Sequence, residues 1–113
     1  MKEIKAIIHP FVLERVLEAL AARDDVPGVT VSQVVGWGRS RAVDAKQTVR
    51  EGGHSLAKMT KIEIVVPDAL ADRVAEVIAG AARTGQPGDG KIFISDIENV
   101  IKIRTGERGE SAL

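Results

Sequence analysis

"KIEIVVPDALADRVAEVIAGAAR", Lys61 to Arg83, is the stretch on which the fold turns. Lys61 to Val66 form a β run, Pro67 interrupts it, and Asp68 follows as an N-cap. Leu70, Val74, Val77, Ile78 and Ala81 then recur at helical spacing. The same plan stands earlier in the chain. "IKAIIHPFVLERVLEALAAR", Ile4 to Arg23, carries a short β run ending at Pro10 and then Leu13, Val16, Leu17 and Leu20 on one helical stripe. The chain reads as an internal duplication.

Each helix leads through glycine into a further β run, "GVTVSQVVGWG" (Gly28 to Gly38) after the first and "GKIFISDI" (Gly90 to Ile97) after the second. The order is βαββαβ, the split βαβ or ferredoxin-like plan of the α+β class, in which one antiparallel sheet carries both helices on one face. With 113 residues, 44% of them hydrophobic, the chain suits one domain over 1–113 with a single core. The sheet face opposite the helices is left uncovered, and apolar residues alternating there predict self-association.

Two segments fall outside the plan. From Gly38 to about Lys58 runs "GRSRAVDAKQTVREGGHSLAK", which has no sustained period; it reads as a structureless functional loop or, as the plainer alternative, a floppy hairpin tip. At the end, "VIKIRTGERGESAL" alternates Ile101 and Ile103 with Lys102 and Arg104, and an extended chain would send both cations to one side.

Composition narrows the function classes. Sixteen basic residues balance sixteen acidic ones, so no global field draws the chain to nucleic acid or to an anionic membrane. Cysteine is absent, which removes disulfides, thiolate nucleophiles and sulfur-ligated metals. His9 and His54 are the only histidines and lie far apart, without ligand spacing around them, so no metal site is expected. No apolar run approaches the ~20 residues of a membrane span, and the start lacks a signal-peptide core, so a cytoplasmic protein with no direct membrane insertion is expected.

The chemistry concentrates in "TGQPGDGKIFI", Thr84 to Ile94. Gly85, four residues, Gly90 and Lys91 reproduce the Walker A spacing up to the hydroxyl residue, where Ile92 stands instead. A phosphate loop of that kind needs a strand before it and a helix after it. Here a helix precedes and a β run follows. What survives is physical: glycines at 85, 88 and 90 can adopt positive φ and bring backbone N–H groups to an anion, with Lys91 adding a point charge. One such lysine at ~4 Å from a phosphate charge is worth about 4 kcal/mol at an effective dielectric near 20, before desolvation. A glycine-rich turn is the alternative reading. Arg39 in "GWGR", Lys102 and Arg104 bring three more cations, while Trp37 at a strand end reads as a core side chain, the usual role of a lone tryptophan.

In that order and spacing, "MKEIKAIIHPF", "GVTVSQVVGWGR", "KIEIVVPD", "RTGQPGDGKIFISDIE" and "IKIRTGERGE" closely resemble the PII signal-transduction family over nearly the whole chain. The resemblance implies a homotrimer of ferredoxin-like subunits with ATP or ADP, and AMP as a further candidate, in each cleft between neighbours. The stretch about 84–91 corresponds to the B-loop, about 38–58 to the T-loop that docks onto partners, and about 100–113 to the C-terminal strand and tail, which gives cations from the adjacent subunit. By position, Gly88, Asp89, Gly90, Lys91, Arg39 and Arg104 would line the phosphates, with Lys102 where an arginine is common. Ile7, Thr30, Gly36, Glu63 and Val65 would surround adenine and ribose, and Trp37, Gly38 and Ser40 complete the mouth of the site. Magnesium would accompany ATP. No catalytic residue and no protein metal site is implied.

The departures lie in the T-loop. Ser40 stands where the family usually has the glutamine that helps hold the magnesium of bound 2-oxoglutarate. The family lysine that pairs with the 2-oxoglutarate carboxylate falls on Met59, or on Lys58 after a one-residue slip that turns the side chain to the other face. Tyrosine is wholly absent, which excludes nucleotidylation of the family's loop tyrosine. Such a loop looks like the divergent PII-like branch whose members accompany transporters and efflux systems, so a membrane transporter is one expected class of docked partner. A regulatory, non-enzymatic protein is the leading reading. The alternatives are a nucleotide hydrolase, which needs placed metal and an oriented water, and a standard nitrogen regulator sensing 2-oxoglutarate. RNA binding, which this topology also serves, is disfavoured by the shortage of sheet aromatics.

Overall fold

A computed structural model describes residues 1–38, 48–51 and 54–113. In chain order it contains β1 (Lys2–Ile8), a 3-10 turn (Pro10–Val12) leading into α1 (Leu13–Ala21), β2 (Thr30–Gly36), β3 (Thr48–Glu51), β4 (His54–Val66), α2 (Asp68–Ala82), β5 (Lys91–Asp96) and a closing 3-10 turn (Glu110–Ala112). The strands lie in the order β2-β4-β1-β5, with β3 pairing the far end of β4, and the described pairs are all antiparallel. This is the ferredoxin-like arrangement that the duplicated strand-helix pattern predicts.

Period two decides which strand residues are buried. Ile4, Ala6 and Ile8 of β1 and Ile62, Ile64 and Val66 of β4 are buried on the helix-covered face. Val16 and Leu20 of α1 and Ala71, Val74, Ile78 and Ala82 of α2 meet them from above, completing one core cluster. Full burial of each such Ile, Leu or Val contributes about 1.5–3 kcal/mol. The alternate residues Glu3, Lys5, Ile7, Lys61, Glu63 and Val65 are only half-buried on the opposite face. Several large apolar side chains remain exposed, among them Val31 and Val35 of β2 and Phe93 and Ile94 of β5, the two edge strands of the four.

Several sequence expectations are corrected. Asp68 is not an N-cap: Pro67 holds that position, and the Asp68 carboxylate meets the Met1 amino group at 2.7 Å. The cause is the register Lys2↔Val66, which brings the start of β1 beside the start of α2. The segment read as structureless contains paired backbone, because Thr48–Glu51 lie against His54–Ala57 and the strand predicted to begin at Lys61 begins at His54. Trp37 is 59% exposed and is no core residue, since it lies beyond the last rung of β2 at the sheet edge. Met59 is buried and Lys58 exposed, so the two candidates for one role do face opposite ways along β4.

The C-terminal stretch also departs from an extended strand. Gly109 N–H donates to Val100 O (2.9 Å), Lys102 N–H to Glu107 O (2.8 Å) and Gly106 N–H to Lys102 O (2.8 Å). These bonds fold it into a tight hairpin with Ile103 at the tip, 98% exposed. Thr105 and Gly106 supply the turn, the first by accepting the Glu107 N–H on its hydroxyl (3.2 Å) and the second by a φ of 76°. Among the described residues, no helix is long and apolar enough to cross a membrane.

Candidate functional site

The glycine-rich loop leaves α2 at Arg83 and reaches β5 at Lys91. Gly85, Gly88 and Gly90 all take positive φ, at 83°, 87° and 97°, as their spacing predicts. Asp89 holds the loop closed. Its Oδ2 accepts the N–H groups of Thr84 (2.9 Å) and Gly85 (3.0 Å), and its Oδ1 accepts the Thr84 hydroxyl. The Thr84 hydroxyl oxygen in turn accepts the Gln86 N–H at 3.1 Å. One carboxylate thereby satisfies three of the loop's own donors, two on Oδ2 and one on Oδ1.

Gly90 seats the loop on the sheet. A β-carbon built there would lie 1.7 Å from the Ile7 carbonyl oxygen, so only glycine fits against β1. Lys91, the next residue, is exposed and pairs with Ile7 in the ladder, while Ile92 packs against the core and anchors the exit. The order is helix, loop, strand, the reverse of a Walker A element. The result is a pre-shaped run of backbone beside one free-standing cationic side chain.

A second feature lies on the helix-free side of the sheet. An open groove of about 510 Å³ is lined by Glu3, Pro27, Gly28, Thr30, Glu63, Val65 and Leu113. Three of the residues expected around adenine and ribose, Thr30, Glu63 and Val65, thus share one depression. Two carboxylates, Glu3 and Glu63, offer acceptors there, and Lys61 Nζ stands 3.5 Å from Glu63 Oε1. Thr30, Glu63 and Lys5 form one rung of the sheet, and Ser32, Lys61, Ile7 and Lys91 form a rung two residues along. Rungs so spaced lie about 7 Å apart, with β4 and β5 about 10 Å apart across β1. Lys91 at the loop's exit thus shares one face of the sheet with Thr30 and Glu63 of the groove.

Other expected site residues are not gathered here. Gly36 closes β2 opposite Ala57, with Trp37 and Gly38 exposed beyond it. Arg39 and Ser40 lie outside the described residues. Lys102 pairs with Glu107 at 3.6 Å, and Arg104 is exposed near the hairpin tip. β5 carries the chain away from the loop, from Lys91 opposite Ile7 to Asp96 opposite Lys2, a run of roughly 17 Å at strand rise. The C-terminal cations therefore leave the sheet from the end opposite the glycine loop.

Sequence reasoning missed Thr84, Glu3 and Leu113. Thr84 carried a usable signal, a hydroxyl residue opening a glycine turn that holds an aspartate five residues on. Leu113 carried none, because only the folded tail brings it to the groove. Among the described residues, no three His, Cys, Asp or Glu side chains are gathered closely enough to hold a metal ion.

Three carboxyls are held below their ordinary pKa by these contacts. For Asp89 the Thr84 hydroxyl is the chief cause, for Asp25 the Arg23 guanidinium (2.9 and 2.7 Å), and for Asp68 the Met1 amino group. A lowered folded-state pKa contributes stability that is present above the unfolded value and is lost as pH falls through the folded value. Stability should therefore be level from pH 7 to about 5 and decline below about 4, where free carboxylates titrate. Urea midpoints measured at pH 7, 5, 4 and 2.5 check this, and Asp89→Asn should flatten part of the decline.

The geometry defines a small α+β domain with a clasped glycine loop, an exposed lysine at its exit and an acceptor-lined groove. A family model described as "Nitrogen regulatory protein P-II" matches residues 1–107. The chain is 45% identical to the "Nitrogen regulatory protein P-II" of Rhodobacter capsulatus over 113 residues, covering 100% of both chains. It is equally similar, at 45% and the same coverage, to that of Nostoc punctiforme. It is 48% identical to "Nitrogen regulatory protein P-II 2" of Methanothermobacter thermautotrophicus, covering 100% of this chain and 97% of that one. The chain belongs to the nitrogen regulatory protein P-II family, a family of signal-transduction regulators.

Proposed function

We propose that this chain is a cytoplasmic regulator that assembles as a homotrimer, binds ATP or ADP in clefts between subunits, and controls a partner protein through the segment about 38–58. The observation that carries the reading is the glycine loop itself, clasped by Asp89 and seated by Gly90 on Ile7, with Lys91 exposed beside it. Such a loop offers oriented N–H groups and a cation without further rearrangement. The neighbouring groove suits the other end of a nucleotide, since Glu63 can accept hydrogen bonds from ribose hydroxyls or an exocyclic amine and Val65 offers an apolar wall. Ile7 lies between the two.

Arg39, Lys102 and Arg104 would complete the phosphate site. A run of roughly 17 Å of β5 separates the start of the C-terminal segment from its own loop, which favours donation of Lys102 and Arg104 to a neighbour. The exposed apolar residues of β2 and β5 favour the same assembly. A hydrolase is less well supported, because the carboxylate nearest the phosphate position, Asp89, is occupied with Thr84 and Gly85. Nucleotide occupancy would bias the T-loop only by its difference in affinity for the loop's states, and a membrane transporter or efflux system is one class of partner for such a loop.

Calorimetry with ATP, ADP and AMP, with and without magnesium, tests the reading together with light scattering. Saturable ATP and ADP binding at one site per chain is expected, on a particle of three chains. A monomer giving no heat at millimolar nucleotide would overturn it. The names of the relatives favour a second reading, 2-oxoglutarate sensing within nitrogen regulation. In the same titrations, a strong gain in Mg-ATP affinity on adding 2-oxoglutarate would support it, and no gain would count against it.

A further inference from the structure

Among the described residues, His9 is a buried ionisable side chain that the proposed site leaves unused. It follows β1 directly, two residues after the Ile7 carbonyl on which Gly90 rests, and is 5% exposed. Its ring stacks on Phe11, with centroids 4.8 Å apart and planes inclined by 17°. Among the described residues, its Nε2 and the Ser32 hydroxyl are the buried side-chain polar atoms without a hydrogen-bond partner. An orphaned buried polar atom costs free energy, and folded proteins seldom keep one without a use.

Nε2 of His9 stands 3.4 Å from Oδ1 of Asp89. At that separation charge interaction is felt, but the hydrogen bond is not closed, since N–H···O bonds centre near about 2.9 Å. The acceptor is available: Oδ1 takes the Thr84 hydroxyl and retains lone-pair capacity, while Oδ2 takes the two backbone N–H groups. The two sides differ in freedom. The end of β1 is held between β4 and β5 through the Ile7 pairs with Lys61 and Lys91, whereas Asp89 sits in a loop articulated at Gly85, Gly88 and Gly90.

We infer that His9 is a positioning residue for the glycine loop: its Nε2–H donates to Asp89 and ties the clasp to the sheet, so that the backbone from Gly88 to Lys91 is preset for an anion. This rests on the reading that the loop takes the phosphates of a nucleotide. It predicts that the gap closes part of the time in the free protein and is held closed when the loop is loaded, because a carboxylate drawn a few tenths of an ångström toward β1 meets a waiting donor. It also predicts a hydroxyl-carboxylate-imidazole relay, Thr84 to Asp89 to His9, behind the phosphate site rather than in it.

Two substitutions test it. His9→Phe keeps the ring, the stack on Phe11 and the burial, and removes the donor. His9→Gln loses the ring and returns an N–H at similar reach. Amide hydrogen exchange at Thr84 and Gly85 is measured in the nucleotide-free protein, and ADP affinity by calorimetry. In His9→Phe, both amides are expected to exchange about tenfold faster and ADP to bind about tenfold more weakly, the equivalent of one lost hydrogen bond. His9→Gln should recover most of both effects. Wild-type exchange and affinity in His9→Phe would overturn the inference, as would equal changes in the two variants that merely track a fall in melting temperature. If the unaltered protein takes up no ADP, the nucleotide reading fails, and the exchange arm alone decides the role of His9.

Discussion

Gly90→Ala is expected to be severely damaging for a single-methyl change, costing roughly 3–5 kcal/mol of stability when overpacking and backbone strain are added. The added carbon would sit 1.7 Å from the oxygen and 2.7 Å from the carbonyl carbon of Ile7, and 3.4 Å from the Ile8 α-carbon. These are backbone atoms of a strand paired on both sides, so they cannot swing away as a side-chain tip would. The φ of 97° adds strain of its own for any residue with a β-carbon. Relief requires lifting the loop, which breaks the Ile7↔Lys91 pair and pulls Ile92 from its place against the core. Against a total stability of about 5–15 kcal/mol this is a large fraction, and the melting temperature should drop by more than ~10 °C. Gly85→Ala is the control: its φ is also positive, at 83°, but no atom lies within 4 Å of the new carbon. It should lose only about 1–2 kcal/mol. Equal losses in the two variants would refute the account of Gly90 as a steric keystone.

Asp89→Ala should act on binding more than on stability. It removes the acceptor for Thr84 N–H, Gly85 N–H and the Thr84 hydroxyl together. The loop is partly exposed, so the freed donors can turn to water, and the expected stability loss is about 1–3 kcal/mol. The larger cost is preorganisation. Several loop residues would have to be ordered at the moment of binding, at about 1–2 kcal/mol each, so nucleotide affinity should fall by roughly a hundredfold or more. Asp89→Asn keeps one acceptor oxygen and the shape, and should fall between wild type and alanine. Thr84→Val removes the hydroxyl alone and should be non-additive with Asp89→Ala, because both cut the same bond. Denaturant titration and calorimetry on wild type, the three single variants and the Thr84→Val/Asp89→Ala double variant check the order and the coupling. Undiminished ATP binding by Asp89→Ala would mean that the clasp is ornamental.

Much of this is legible in the order of residues alone. The two strand-helix units, the return strands and the order βαββαβ follow from Ile4, Ala6, Ile8 and from Ile62, Ile64, Val66 at period two, joined to Val16, Leu20, Val74 and Ile78 at helical period. The glycine turn was legible as well, because Gly85, Gly88 and Gly90 are the residue type that positive φ favours. What the pattern missed depends on partners distant in sequence. β3 and the first residues of β4 look like loop in sequence because nothing local reports that Thr48–Glu51 find His54–Ala57. Asp68 looks like a cap because its real partner, Met1, is brought to it only by the pairing of β1 with β4. The C-terminal alternation suggested a strand where hydrogen bonds across Thr105 and Gly106 make a hairpin.

The candidate site divides along the same line. Chain order alone determined which residues could serve an anion, since glycine, aspartate and lysine at 85 to 91 express a local conformational and charge requirement. Only the tertiary structure decided what each does. Asp89 became a clasp because Thr84 and Gly85 face it, Gly90 became irreplaceable because Ile7 lies against it, and His9 entered the account because β1 ends beside the loop. Periodicity and φ preference are properties of neighbouring residues and can be read in one dimension. Contact between β1 and the loop joins residues some eighty positions apart in the chain, and such a contact exists only once the sheet has closed.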